Sequence, residues 1–241
     1  MIKEALEYIV NMSAPHLTEV DGETYSDRQL DRVSYAPTAA TLQLNTLTSL
    51  VDYIKGCKKD MYEEYDQQWI IHINDPAHVY LMSMLDTDRK RETLIEASAE
   101  RYMNAIGNYI DQESFLIGIK SNFVQTDNTD LLLKFAGTVE NKSVAQYTDD
   151  GITQKATIKR GIAGHEEAVV PSPIALAPYR TFLEVEQPES DFVFRMKTDE
   201  RGIRCALFEA DGGAWKHEAI NNIKAYLSEA LKDEKNIIII A

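Results

Sequence analysis

The residues that most limit the fold are Ile237, Ile238, Ile239 and Ile240, in the run "NIIIIA". Four consecutive β-branched side chains are stiff at χ1, and a run this short cannot make a stable helix. They read as a buried strand. A strand needs a sheet, its own or a neighbour's, because isolated pairs are marginal in water. The residues before it, "AWKHEAINNIKAYLSEALK", have the other periodicity. Trp215, Ala219, Ile220, Ile223, Tyr226, Leu227 and Ala230 fall on one broad stripe at helical spacing.

Strand patterning dominates from Asn141 onward. "SVAQYTDDGITQKATI" carries Asp150-Gly151 between alternating segments, the signature of a hairpin. Strands are expected over Ile174–Phe182, Asp191–Lys197 and "GIRCALFEA", with "TDERG" reversing the chain between the last two. The N-terminal half mixes helices and hairpins. "IKEALEYIVNM" places Ile2, Ala5, Leu6, Ile9 and Val10 on one helix face, and Asp21-Gly22 marks a hairpin. Leu44, Leu47, Leu50, Val51 and Ile54 suggest a second helix. "QQWIIHIND" and "HVYLMSML" read as paired strands, and "RETLIEASAERY" fits either state. "ESFLIGIKSNFV" and "DNTDLLLKFAGTV" read as helices, the second with an Asp or Thr cap. The class is α+β: a mixed or antiparallel sheet in a strand-rich C-terminal half with one late amphipathic helix. A single domain over 1–241 is expected. A subdivision into 1–140 and 141–241 is compatible with the change of pattern, though no linker composition marks it.

A formal net charge of −14 argues against a surface for phosphate backbones, so nucleic acid is not expected as a direct ligand. Lys55, Lys58, Lys59 and Arg89, Lys90, Arg91 are local basic patches of the kind that decorate helix ends and loop tips. The segment beginning Met1-Ile2-Lys3-Glu4 has no secretory pattern, and no apolar run approaches a membrane span, so no membrane partner is expected. Cys57 and Cys205 stand far apart with no CxxC pairing, consistent with reduced thiols in a cytoplasm.

Chemistry needs groups that can meet. His72 and His78 flank the turn at Asp75-Pro76 and could form a metal site with Asp75. The simpler reading is a strand polar residue and a turn histidine. His165 beside Glu166 and Glu167 lacks HExxH spacing. Gly212 and Gly213 open the late helix and offer amides to an anion. The plainer account is a tight turn in which Asp211 complements the helix dipole. No GxSxG elbow, phosphate loop or zinc spacing occurs. No catalytic residues, cofactor or metal are therefore expected, and the chain reads as a non-enzyme.

The stretch "APYRTFLEVEQPESDFVFRMK", Ala177 to Lys197, concentrates the remaining chemistry. Alternation predicts a strand after Pro178 with Arg180, Phe182, Glu184 and Glu186 on one face. A turn follows at Pro188-Glu189-Ser190, then a second strand. Two carboxylates on one strand face repel unless a cation is near. They could form a glycosidase-like pair. More simply, Tyr179, Arg180, Glu184, Glu186 and Gln187 form a structural network or a subunit interface.

"PYRTFLEVEQPESDFVFRMK", "ALFEADGGAWKHEAINNIKAYL" and "IIIIA" resemble, in order, the signature of the YfdQ-like family of uncharacterised tailed-phage and prophage proteins. The resemblance covers roughly Pro173–Ala241, with "APTAATLQLNTLTSLVDYIK" similar in type to the family's early helix. It implies a phage-derived protein in the cytoplasm of a bacterial host and no particular activity. The expected function is non-enzymatic self-association into a homo-oligomer, with a structural or accessory role in infection. The alternatives are an acidic accessory or inhibitor acting on DNA metabolism or host defence, through a host protein partner, or a protein that sequesters a small ligand.

Overall fold

A computed structural model describes residues 2–13, 15–20, 22–27, 38–61, 67–86, 89–100, 106–138, 155–160 and 164–241. The chain divides into two compact units, Met1–Thr38 and Ala39–Ala241.

The first unit holds α1 (Ile2–Ser13) and the antiparallel strands β1 (Leu17–Val20) and β2 (Glu23–Ser26). Gly22 takes a φ of 83°, the left-handed conformation that lets so short a hairpin reverse. Outside the turn, the Asp27 carboxylate accepts the His16 amide at 2.9 Å. Ile2, Leu6 and Tyr8 on α1 are exposed.

In chain order the second unit contains β3 (Leu42–Leu44), α2 (Leu47–Gly56), α3 (Lys58–Met61), β4 (Trp69–Asp75), β5 (His78–Ser83), β6 (Thr93–Ser98) and β7 (Ile110–Asp111). Then come α4 (Gln112–Asn122), α5 (Asp127–Thr138), β8 (Lys155–Arg160), β9 (Gly164–Val169), β10 (Ile174–Leu176), β11 (Ser190–Asp199), β12 (Gly202–Glu209), α6 (Trp215–Ala230) and β13 (Ile237–Ile240). The α+β class holds, with the late helix where periodicity puts it. Strands β8 and β9 form a separate antiparallel pair. The hairpin expected at Asp150-Gly151 lies outside the described residues.

Two sheets each carry a core. A five-stranded mixed sheet runs β13-β4-β5-β6-β3. Alternation along β4 and β5 buries Trp69, Ile71, Ile73, Val79 and Leu81 together with Leu47, Leu50 and Ile54 of α2 and Ile223 and Leu227 of α6. A four-stranded antiparallel sheet runs β10-β11-β12-β7, and its Phe192, Phe194 and Cys205 pack with Phe115, Ile119, Leu132 and Phe135 of α4 and α5. Strands from before and after residue 140 share both sheets: β13 pairs with β4, and β12 with β7. Residues 141–241 therefore do not fold as a body of their own.

Several local expectations change. Leu44 belongs to β3 and not to the helix face, because Thr46 caps α2: its hydroxyl accepts the Ser49 amide at 3.1 Å. Within "RETLIEASAERY", Thr93–Ser98 form strand β6. The "IIII" run is a strand but not a buried one. β13 lies parallel to β4 at the sheet edge, so Ile237 and Ile239 turn to the core while Ile238 and Ile240 stay 37% and 43% exposed. The strand expected over Ile174–Phe182 stops at Leu176.

Candidate functional site

Between β10 and β11 the chain leaves the four-stranded sheet, enters the five-stranded sheet's core at Phe182, and returns. Pro178 and Pro188 cannot donate to a sheet ladder, and segment 177–189 has only an isolated antiparallel bridge, Pro178 with Phe123 at the end of α4. Gln187, buried, does the ladder's work. Its side-chain carbonyl accepts the amides of Arg180 (3.1 Å) and Thr181 (3.3 Å), and its amide nitrogen donates to the carbonyls of Phe182 (2.9 Å) and Val185 (3.1 Å). Surrounding elements fix the segment from outside. The Tyr179 amide donates to the Asn122 carbonyl at 2.8 Å, the Thr181 hydroxyl to the Pro76 carbonyl, and the Asn222 side chain to the Glu186 carbonyl at 3.2 Å.

Arg180 is the segment's anchor, with only 1% of its side chain exposed. Arg180 shares strand parity with Glu184 in sequence, but the two do not pair. Without a strand the two do not share a face, and Arg180 turns toward β12, where its Nη1 lies 2.8 Å from Glu209. Its Nη2 donates to the Ser190 hydroxyl, which donates in turn to Asp211 at 2.8 Å. The guanidinium carbon sits 3.8 Å from the centre of the Trp215 ring. Burial lowers the Arg180 pKa to about 10, against the opposing pull of Glu209 and Asp211, so the group stays charged at neutral pH.

Glu184 and Glu186 likewise do not form a face-sharing pair. Glu184 accepts the Thr48 amide at 3.0 Å, adding a carboxylate to the first turn of α2. Glu186 is exposed and contributes its carbonyl to Asn222.

Beside the segment lies a cleft of about 710 Å³. Tyr179, Leu183 and Glu184 form one wall, Asn45 and Thr46 before α2 and Glu100 after β6 form others, and Asn122 closes it at the end of α4. Phe182 and Ala99 give it an apolar floor. Among the described residues, the lining has two carboxylates and no Lys, Arg or His. Its aliphatic hydroxyls are engaged nearby: Thr46 with Ser49, Ser121 with the Ile117 carbonyl, Thr181 with Pro76. Tyr179 and Glu184 were legible as chemistry-bearing residues. Asn45, Glu100 and Asn122 were not, because nothing local in sequence brings three distant elements to one cavity.

The other candidates resolve into local structure. His78 pairs with Asp75 at 2.8 Å, while His72 faces Tyr80 across the β4–β5 pair, so the three do not converge. Among the described residues no group of three or more His, Cys, Asp or Glu is placed to hold a metal ion. The anion site at Gly212 and Gly213 is filled from within: Asp211 accepts the Gly213 amide at 3.0 Å and the Trp215 amide at 3.4 Å. Cys57 is exposed, and Cys205 is buried, which raises its thiol to about 12. Lys58 pairs with Glu234 at 2.9 Å, and Arg91 donates to the Ser83 carbonyl. No described helix is long and apolar enough to cross a membrane. No protein-family model, curated protein or solved structure matches the chain.

Proposed function

We propose that this chain is a phage- or prophage-encoded, non-enzymatic protein that self-associates, in a structural or accessory role in infection. The phage setting rests on the resemblance carried by Pro173–Ala241. The non-enzymatic reading is supported by a cleft whose aliphatic hydroxyls serve local structure and whose lining, among the described residues, includes no histidine or cysteine.

The observation that carries self-association is β13. Sheet edges in soluble proteins are usually blunted by charge, proline or a bulge. This edge is four isoleucines, and two of them project into solvent on the face opposite the core. A second copy related by a two-fold axis would bring β13 antiparallel to itself, joining two five-stranded sheets and closing the assembly as a dimer. A four-residue edge is small beside the roughly 1,200 Å² of a standard interface, so association is expected to depend on concentration in the micromolar range.

Size-exclusion chromatography with light scattering tests this. The wild type is expected to approach twice 27.3 kDa as concentration rises. Ile238→Lys and Ile240→Lys, which leave the core-facing Ile237 and Ile239 in place, are expected to remain monomeric with unchanged circular dichroism. A wild type that is monomeric throughout overturns the proposal, as does a dimer that survives both substitutions.

A further inference from the structure

We propose that the open face of the five-stranded sheet docks on the same face of another copy of the chain, so that edge-joined dimers stack into a tetramer. The inference rests on the pairing of β13 proposed above and extends it. Helices α2 and α6 pack on the side of the sheet that carries Ile71, Ile73 and Leu81. Side chains alternate along a strand, so the intervening residues point to the other side. Register sets these in two rows. Ile238 of β13 lies beside Ile70 of β4, and Ile70 beside Met82 of β5. Ile240 lies beside His72, and His72 beside Tyr80, with the two rings 6.5 Å apart. Ile70 is only 8% exposed, yet among the described residues it lies outside both cores, on the side away from the helices. At the margin, Glu96 accepts from the Tyr80 hydroxyl at 3.4 Å and from the Gln43 side-chain amide at 3.0 Å, so this carboxylate is already hydrogen-bonded within its own copy.

Symmetry and area identify the occupant. A two-fold axis normal to the sheet at β13 keeps the open faces of both copies on one side. The joined sheet then presents Ile70, His72, Tyr80, Met82, Ile238 and Ile240 twice, as one surface that crosses the seam. Contiguous apolar patches of more than a few hundred Å² mark interaction sites, and sheets bury such faces by packing on one another about 10 Å apart. The β13 edge alone falls short of a standard interface of roughly 1,200 Å². A partner seated across the seam touches both copies and adds contact to each. The doubled surface of a second dimer, related by further two-fold axes, matches it in extent and symmetry and closes the assembly with dihedral symmetry.

Sedimentation equilibrium of the full chain, from micromolar to several hundred micromolar, tests this. Salt at roughly 0.3 M screens the repulsion between copies of net charge −14. The wild type is expected to pass from twice to four times 27.3 kDa as concentration rises. Met82→Lys and Tyr80→Lys leave β13 as it is, and each is expected to weaken the second step about tenfold or more, so that the variant stops at the dimer. Lysine at position 80 keeps a cross-strand partner in Glu96. Circular dichroism establishes that both variants fold. A wild type that stops at the dimer overturns this inference and leaves the β13 pairing standing, as does a tetramer that survives both substitutions. A dimer that both substitutions reduce to monomer leaves the face contact standing and removes the edge pairing. A monomer throughout overturns both.

Discussion

A guanidinium taken out of water must recover its hydration from the groups around it, or the fold loses more than it gains. Arg180 does so with one carboxylate, one hydroxyl and the face of Trp215. Its Nε has no hydrogen-bond partner among the described residues, so the recovery is incomplete. Replacing Arg180 by Ala would remove three interactions and leave a space beside Trp215 and Phe192. Glu209, whose side chain is 35% exposed, could rehydrate, which places the expected cost at the low end for a broken buried pair, about 3 kcal/mol. Arg180→Lys should recover only part of it, because an ammonium lacks the planar fork and the stacking surface. Urea denaturation of the two variants measures both costs. Equal stability of Arg180→Ala and wild type would show that the network contributes nothing to the fold.

At the level of elements, the turn into α6 shows how a local signal becomes a titratable one. Burial raises the pKa of Asp211, but the Gly213 amide, the Ser190 hydroxyl, the Trp215 amide and the Arg180 charge outweigh it, so the folded-state value lies below the ordinary 3.8. The unfolded chain therefore binds the proton more readily. The stabilisation is present in full above the ordinary aspartate range and is lost as pH falls through the depressed folded value. Thermal melts of wild type and Asp211→Asn should accordingly differ most near neutral pH and converge as pH falls through the depressed folded-state value of Asp211. A gap that stays constant with pH would remove Asp211 from this role. That turn could be read from Asp211-Gly212-Gly213 because its signals are adjacent residues. So could β4, β5, α4, α5 and α6, whose burial follows one period. Segment 177–189 could not. Arg180, Phe182, Glu184 and Glu186 alternate as a strand does, and alternation carries no information about whether a neighbouring strand exists to receive the hydrogen bonds. Gln187 takes them instead, and a buried glutamine looks the same in sequence as an exposed one. The two prolines were the local sign that a ladder would fail. For the same reason the isoleucine run showed a strand but not its edge position, which depends on β4, far away in the chain.

Across the whole second unit, the two sheets own separate cores, and the chain passes from one to the other through segment 177–189. Leu176 packs in the core of α4 and α5, and Phe182 in that of α2 and α6. The polar groups that fix this crossing are buried, so neither core can open without exposing part of the other's support. The unit should therefore unfold in one cooperative step. Two internal probes can report on it. Trp69 lies in the core with α2 and α6, and Cys205 in the core with α4 and α5, where its fully buried thiol is shielded from reagents. In a chain carrying Cys57→Ser and Trp215→Phe, Trp69 fluorescence and the thiol reactivity of Cys205 should give the same denaturant midpoint. Phe182→Ala should cost about 3–5 kcal/mol by leaving a cavity in one core. It should also draw the two midpoints apart, with Trp69 responding first, because the crossing is weakened on that side only. Separate midpoints before any substitution would mean that the cores are energetically independent and that the crossing merely connects them.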